Sequence, residues 1–318
     1  MDDMDFLSPF ERLLEDQCTP AVVRAIEAGE SAQALWAALH ESGFLDALLP
    51  ERAGGAELSL AEVGPLLQAL GRFAVPLPVA ETMAARAICA RSGVEAPAGP
   101  IVLATQGHTG PVPFAKVAQH ALIDTGSELR LVDLSDPGDA GFHHGLAAYI
   151  PAGLRGVAIP RPERGLMPLL GVVRACLIAG GSDKLLTMTV AYANDRVQFG
   201  KPIGRQQAVQ QQLAVMAQKV IACRIAAQIG CAAGLDPSVF AAATAKQVTS
   251  AAAPVIANIA HAVHGAIAIS AEYDVQLYSR RLHEWRLADG SEVYWARILG
   301  SARLARADMP SVDFIARC

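Results

Sequence analysis

The sequence predicts a mainly α protein in three parts: an N-terminal helical domain over residues 1–97, a small middle β module over 98–163 and a C-terminal four-helix bundle over 164–318. Three observations predict it. Apolar residues recur at three- and four-residue spacing through the first part, short apolar runs broken by Gly, Pro and Asp fill the second, and from residue 166 onward helix-forming stretches run almost to the end.

FLSPFERLLEDQ reads as the opening helix. TPAVVRAIEAG follows, with Thr19 as N-cap and Pro20 at the first helical position, where its missing N–H leaves nothing unsatisfied. ESAQALWAALHESG ends at Gly43, SLAEVGPLLQALGRF carries Leu60, Val63, Leu67 and Leu70 on one stripe, and PVAETMAARAICARSG completes the first part. The runs GPIVLAT, HALIDTG, ELRLVDLS, AAYIPAG and RGVAI read as strands. Long helices over about 166–196, 204–233, 236–270 and 288–307, with a shorter one near 272–284, make the bundle.

Composition excludes several function classes. With 52% hydrophobic and only 18% charged residues, the chain carries more apolar surface than a monomer leaves in water, so an oligomer is expected. The net charge of −5, without a basic run, argues against a nucleic-acid partner. Six cysteines sit in Ala- and Leu-rich surroundings without ligand spacing, which reads as reduced, packed thiols and neither zinc nor disulfides. The pair His143–His144 invites a metal, but no further Cys or carboxylate stands at ligand spacing, and a solvated loop is the plainer reading. The first twenty residues hold charges throughout and form no signal-type apolar core; the expectation is a cytoplasmic protein with no membrane span.

One stretch concentrates chemistry. In AYANDRVQFGKPIGRQQAVQQQLAVMA, residues 191–217, a helix-like run halts at a Gly-Lys-Pro-Ile-Gly joint and resumes. Arg196 offers a planar, permanently charged fork for a phosphate, and Phe199 a ring for stacking. Gly200, Pro202 and Gly204 end one helix and start the next, so a ligand can approach the backbone. The alternative is a helical hairpin turn whose polar residues are simply solvated.

Three segments, in this order, resemble the acyl-CoA dehydrogenase family. Residues 33–82, with Pro50, Glu51, Gly54 and Gly55, resemble its N-terminal helical domain. YANDRVQFGKPIGRQQ at 192–207 resembles its Arg-x-Gln-Phe-Gly-Lys-Pro-Ile signature, and HGAIAISAEYDVQLYSRR at 264–281 its His-Gly-Gly segment. The resemblance implies FAD as cofactor, an acyl-CoA oxidised to its trans-2-enoyl-CoA, an electron-transfer flavoprotein or similar acceptor, and a homo- or hetero-oligomeric dimer or tetramer. It implies cofactor-binding roles for Arg196, Gln198, Phe199, Gln207, His264 and Gly265, with the joint reaching into a neighbouring protomer. In one large branch of the family the catalytic carboxylate precedes a Gly near the last long helix, which here makes Asp289 the candidate base and Gly290 a substrate contact; other branches place a Glu on the first bundle helix, where this chain has Arg174, a further candidate contact for the acyl-CoA.

The chain also departs from that pattern. Asp289 stands where the family commonly has Glu, and pulling a carboxylate back by one methylene moves it roughly 1.5 Å, when about 1 Å can cost on the order of 10²-fold in rate. Asp-Gly is also a common turn dipeptide, so base and helix cap remain open for it; Glu284 and Glu292 read as solvated or paired surface charges. The β module is short and lacks the family's Thr-Glu-Pro and Trp-Ile-Thr segments, and Ala262 and Ala266 replace a usual Gln and Gly. Two main readings follow: a flavin-dependent dehydrogenase with Asp289 as base, or a non-catalytic or half-site subunit that pairs with a different, flavin-competent chain. A divergent chain that only binds a CoA ester is a third.

Overall fold

The computed structural model describes residues 6–106, 110–134, 145–151, 153–306 and 308–315. His143 and His144 lie outside the described residues. Five helices open the chain: α1 (Leu7–Gln17), α2 (Pro20–Glu27), α3 (Gln33–Glu41), α4 (Leu60–Arg72) and α5 (Val79–Arg91). The Thr19 hydroxyl accepts from the Val22 amide and caps α2 with Pro20 at its first position. Ser59 and Glu62 form a reciprocal capping box at α4, which satisfies amides that a helix start would leave unpaired.

Four strands follow, β1 (Ile101–Thr105), β2 (His120–Asp124), β3 (Leu129–Asp133) and β4 (Gly156–Ile159), ordered β1-β2-β3-β4. β1 pairs parallel with β2, while β2–β3 and β3–β4 are antiparallel. Among the described residues, AAYIPAG, expected as a strand, contributes only an isolated bridge between Ala148 and Val112. Pro151 has no amide to donate and Gly153 turns at φ +78°, so no ladder can run through it.

The remainder is helical: α6 (Met167–Asp195), a two-residue hairpin of β5 (Val197–Gln198) and β6 (Lys201–Pro202), then α7 (Gln207–Ala232), α8 (Val239–His264), α9 (Val275–Leu287), α10 (Glu292–Leu304) and α11 (Ser311–Ile315). The helix expected from 288 starts later, at Glu292, because Asp289 and Gly290 adopt φ +53° and +89° and no helix can pass through that backbone. α8 ends at His264 for the same reason, with Gly265 at φ +69°. α7 and the stretch Val239–Ile269 are long and apolar enough to cross a membrane by length and composition alone; both pack against α6 in the bundle.

α6 is the hub, packed against α4, α7, α8 and α9 and buried over nearly all of its first half. Its crossing with α4 brings backbones together. A Cβ built on Gly180 would lie 1.8 Å from the Gln68 carbonyl oxygen, and one on Gly71 would lie 2.1 Å from that of Leu177. No side chain fits there. Gly180→Ala is expected to force α4 and α6 apart and lower the stability by about 1–3 kcal/mol, the usual range for overpacking, read as a lower urea midpoint with helix content retained; an unchanged midpoint would contradict the crossing.

Candidate functional site

Two separate groups of side chains stand out. The first lies where α5, α6, α8 and the α9–α10 turn meet. Arg174 of α6 is fully buried; its Nε donates to Asp289 Oδ2 at 2.7 Å and its Nη1 to Glu81 Oε1 at 2.6 Å. Glu81 comes from α5 and is equally buried, while Asp289 is 7% exposed. A buried guanidinium must be paired, and here its two partners arrive from segments far apart in sequence. The Asp289 carbonyl accepts from Trp295 Nε1 at 3.0 Å, which holds the turn against α10.

Burial raises the pKa of Glu81 above the ordinary carboxylate value, against the opposing pull of Arg174. Lys246 of α8 completes the charge set. Burial pushes its pKa down to about 7 while Asp289 pulls it upward. Above Arg174 sits Phe114, a buried residue at φ +63°, whose ring centroid lies 5.8 Å from the Arg174 guanidinium and 5.5 Å from that of Arg281. Arg281 is itself paired with Glu27 and Glu284, each at 2.8 Å. Glu292 pairs with Arg286 across the α9–α10 turn. Both Glu284 and Glu292 are thus engaged in ion pairs.

The second group is the joint. Phe199 and Gly200 occupy the two-residue loop between β5 and β6, both at positive φ (+51° and +75°), as the twist of a tight hairpin requires. For Phe199 that backbone is strained, and its ring is 91% exposed. Arg196, Gln198 and Gln207 are exposed around it. His264 lies beside the joint: its ring stacks on Tyr192 at 4.4 Å, and the Tyr192 hydroxyl donates to the His264 carbonyl at 3.3 Å. Burial pushes the His264 pKa below the ordinary imidazole value. In that neutral ring Nδ1–H donates to the Ala260 carbonyl at 2.8 Å, and Nε2 is a buried acceptor with no partner among the described residues. Gly265 next to it has nothing within 4 Å of where a Cβ would sit.

The structure therefore brings Arg174, Asp289 and Gly290 together, and brings Arg196, Gln198, Phe199, Gln207, His264 and Gly265 together, but keeps the two groups apart. Arg174 and Arg196 are 22 positions apart (196 − 174) along α6 and its C-cap, which at 1.5 Å per residue is about 33 Å. Glu81, Lys246 and Phe114 were not singled out from sequence. Lys246 had a usable signal, a lone charge inside AAATAKQVTSAAA. Glu81 had a weaker one, a carboxylate in a helix buried on every side.

Comparison with known proteins identifies relatives of the chain. Profiles described as acyl-CoA dehydrogenase, N-terminal domain and acyl-CoA dehydrogenase, C-terminal domain match residues 2–96 and 166–303. Acyl-CoA dehydrogenase IpdE2 of Mycolicibacterium smegmatis is 31% identical over 284 residues, covering 85% of this chain and 89% of that protein. IpdE2 of Mycobacterium tuberculosis is 31% identical over 292 residues, with 85% and 87% covered. A chain of the solved Tcur3481–Tcur3483 steroid ACAD G363A variant has a TM-score of 0.82 at 23% identity, with 95% of this chain and 98% of that chain covered. A chain of the ChsE4–ChsE5 complex from Mycobacterium tuberculosis has a TM-score of 0.74 at 24% identity, with 96% and 97% covered. These structural likenesses establish the fold.

Arg174→Met is expected to destabilise the chain by about 3–5 kcal/mol, because it leaves Glu81 and Asp289 buried without their cation. The loss depends on pH in a defined direction. Without Arg174 the folded-state pKa of Glu81 rises further above its unfolded value, so the variant's stability is fully present in acid and lost as pH climbs through that pKa. Urea unfolding should show the deficit against the parent chain widening as pH rises from the ordinary carboxylate range through neutrality; a deficit that stays flat would mean that Glu81 does not depend on Arg174.

Proposed function

Because the chain belongs to the acyl-CoA dehydrogenase family, we propose that it is one subunit of an FAD-dependent enzyme that oxidises an acyl-CoA thioester to a 2-enoyl-CoA, assembled with a second, different chain of the same family. The observation that carries this reading is the separation of the Arg174–Asp289 group from an outward-facing joint whose aromatic tip is 91% exposed. A ring held in strained backbone and left in water is built to meet something outside the chain. Along α7, Ile221, Ile225 and Ile229 are each about half exposed at four-residue spacing, an apolar stripe suited to cover by another subunit. The solved relatives titled Tcur3481–Tcur3483 steroid ACAD and ChsE4–ChsE5 complex support a heteromeric assembly.

The residues at the joint fit one side of a flavin nucleotide. Arg196 would hold a phosphate, Phe199 would pack against a ring, Gln198 and Gln207 would hydrogen-bond, His264 Nε2 would accept a hydroxyl proton, and Gly265 leaves its backbone open to approach. When bound, FAD supplies the hydride acceptor. The proton must leave the carbon beside the thioester carbonyl to a carboxylate that touches it. In this chain Asp289 Oδ2 is already occupied by Arg174, and Glu81 fills the other side of that guanidinium. A base on the partner chain suits this closure. The second reading, with Asp289 as base and Arg174 and Gly290 at the acyl-CoA, is favoured by the partial exposure of Asp289 beside its fully buried partners. A cytoplasmic location, an electron-transfer flavoprotein or similar acceptor, and the division into units at 1–97, 98–163 and 164–318 belong to the same proposal.

Purified alone, the chain should be colourless; co-expressed with the other acyl-CoA dehydrogenase chains of its source, it should co-purify with one of them as a yellow, flavin-containing assembly. A yellow, active protein made from this chain by itself would overturn the heteromeric reading. Within the assembly, Phe199→Ala should lower flavin affinity on the order of tenfold, about 1.4 kcal/mol, measured by flavin fluorescence. Asp289→Asn decides the base: turnover with an artificial electron acceptor should persist if the partner supplies it, and loss of turnover with flavin still bound would assign the role to Asp289.

A further inference from the structure

Lys246 lies in the first third of α8 and its side chain is fully buried. Its Nζ donates to the carbonyls of Trp285 at 2.9 Å, Arg286 at 2.8 Å and Gly290 at 3.0 Å, and to Ser250 Oγ at 2.9 Å. In its charged form, dominant below about pH 7, the side chain carries three protons, so these acceptors compete for them and none is spare. Two of the carbonyls belong to the last turn of α9, where a helix leaves its C=O groups without partners and where a cation also meets the negative end of the helix dipole. The third belongs to Gly290, on the far side of Asp289. One ammonium thus bridges the end of α9 and the exit of the turn.

That turn needs such a tie. Asp289 sits at φ +53°, a left-handed conformation that L-residues other than Asn and Asp seldom adopt and that needs support from its surroundings. Gly290 at φ +89° has no room for a side chain: a Cβ there would lie 2.5 Å from the Tyr294 ring and 2.8 Å from Trp295 Nε1. Trp295 and Arg174 hold the Asp289 carbonyl and carboxylate from two sides, and Lys246 holds the backbone from the third.

We propose that Lys246 is the positioning residue of the Asp289–Gly290 turn: its buried ammonium draws together the carbonyls on either side of Asp289 and so sets the Asp289 carboxylate against Arg174. It acts through the backbone and touches no ligand. Any bearing on catalysis rests on the dehydrogenase reading above; the conformational statement does not.

The test is Lys246→Ala in the full chain, read by hydrogen–deuterium exchange. Protection of amides in peptides covering 284–292 should fall at least about tenfold while α7 peptides are unchanged. Ethylammonium chloride should restore that protection, and ethanol at the same concentration should not. Unchanged protection in the turn, or equal rescue by the neutral alcohol, would overturn the proposal. Should the variant fail to fold, the parent chain decides. Its lysines are Lys116, Lys184, Lys201, Lys219 and Lys246, and with ¹⁵N-labelled lysine the Lys246 ammonium protons should exchange slowly where those of exposed Lys201 and Lys219 exchange fast. A Lys246 ammonium exchanging as fast as these would overturn it equally. Because the readout is exchange and not turnover, a failed dehydrogenase assignment leaves the outcome readable.

Discussion

The pairing of Arg174 with Glu81 and Asp289 is the constraint on which the centre of the molecule depends. A guanidinium with no exposure cannot be left without counter-charge, so α5, α6 and the α9–α10 turn must arrive at one point together. Lys246 brings α8 to the same place. Four parts of the chain that share no local sequence signal are thereby fixed relative to one another by ions in a low-dielectric interior. An apolar core of similar volume would tolerate sliding; this one does not, because each displaced partner leaves a charge unpaired.

The joint obeys the opposite logic. None of the described residues covers Phe199, and its backbone is held in a conformation that an L-residue avoids. The hairpin pays that cost for geometry: a two-residue loop of this twist throws its tip outward from the end of α6. His264 supplies a neighbouring buried acceptor whose lone pair the described residues leave unmatched. Strain, exposure and an unmatched acceptor at one end of the bundle contrast with the paired charges of Arg174, Glu81 and Asp289 in its middle, and that contrast underlies the functional proposal.

Most of the fold was legible in the sequence because its signals are local. Thr19 before Pro20, the Leu60–Leu70 stripe and the Gly200–Gly204 joint each act within a few residues, and the elements stand where those signals put them. AAYIPAG was misread because its alternation resembles a strand while Pro151 and Gly153 forbid a ladder. The helix expected from 288 was misplaced because a left-handed Asp leaves no mark in the sequence beyond a following Gly. The site was legible only in pieces. Arg174 and Asp289 were singled out separately, by resemblance; their contact is 115 positions long and no periodicity encodes it. Glu81 was missed since α5 is buried on all sides and shows no polar face against which a carboxylate would look misplaced.

The isoleucine stripe on α7 has a consequence for the living cell. A newly made copy that finds nothing to cover Ile221, Ile225 and Ile229 displays the kind of greasy surface on which chaperones and proteases act. Under the heteromeric reading proposed above, copies left uncovered would be cleared first, and the amount that accumulates would follow the supply of the chain that shields that helix.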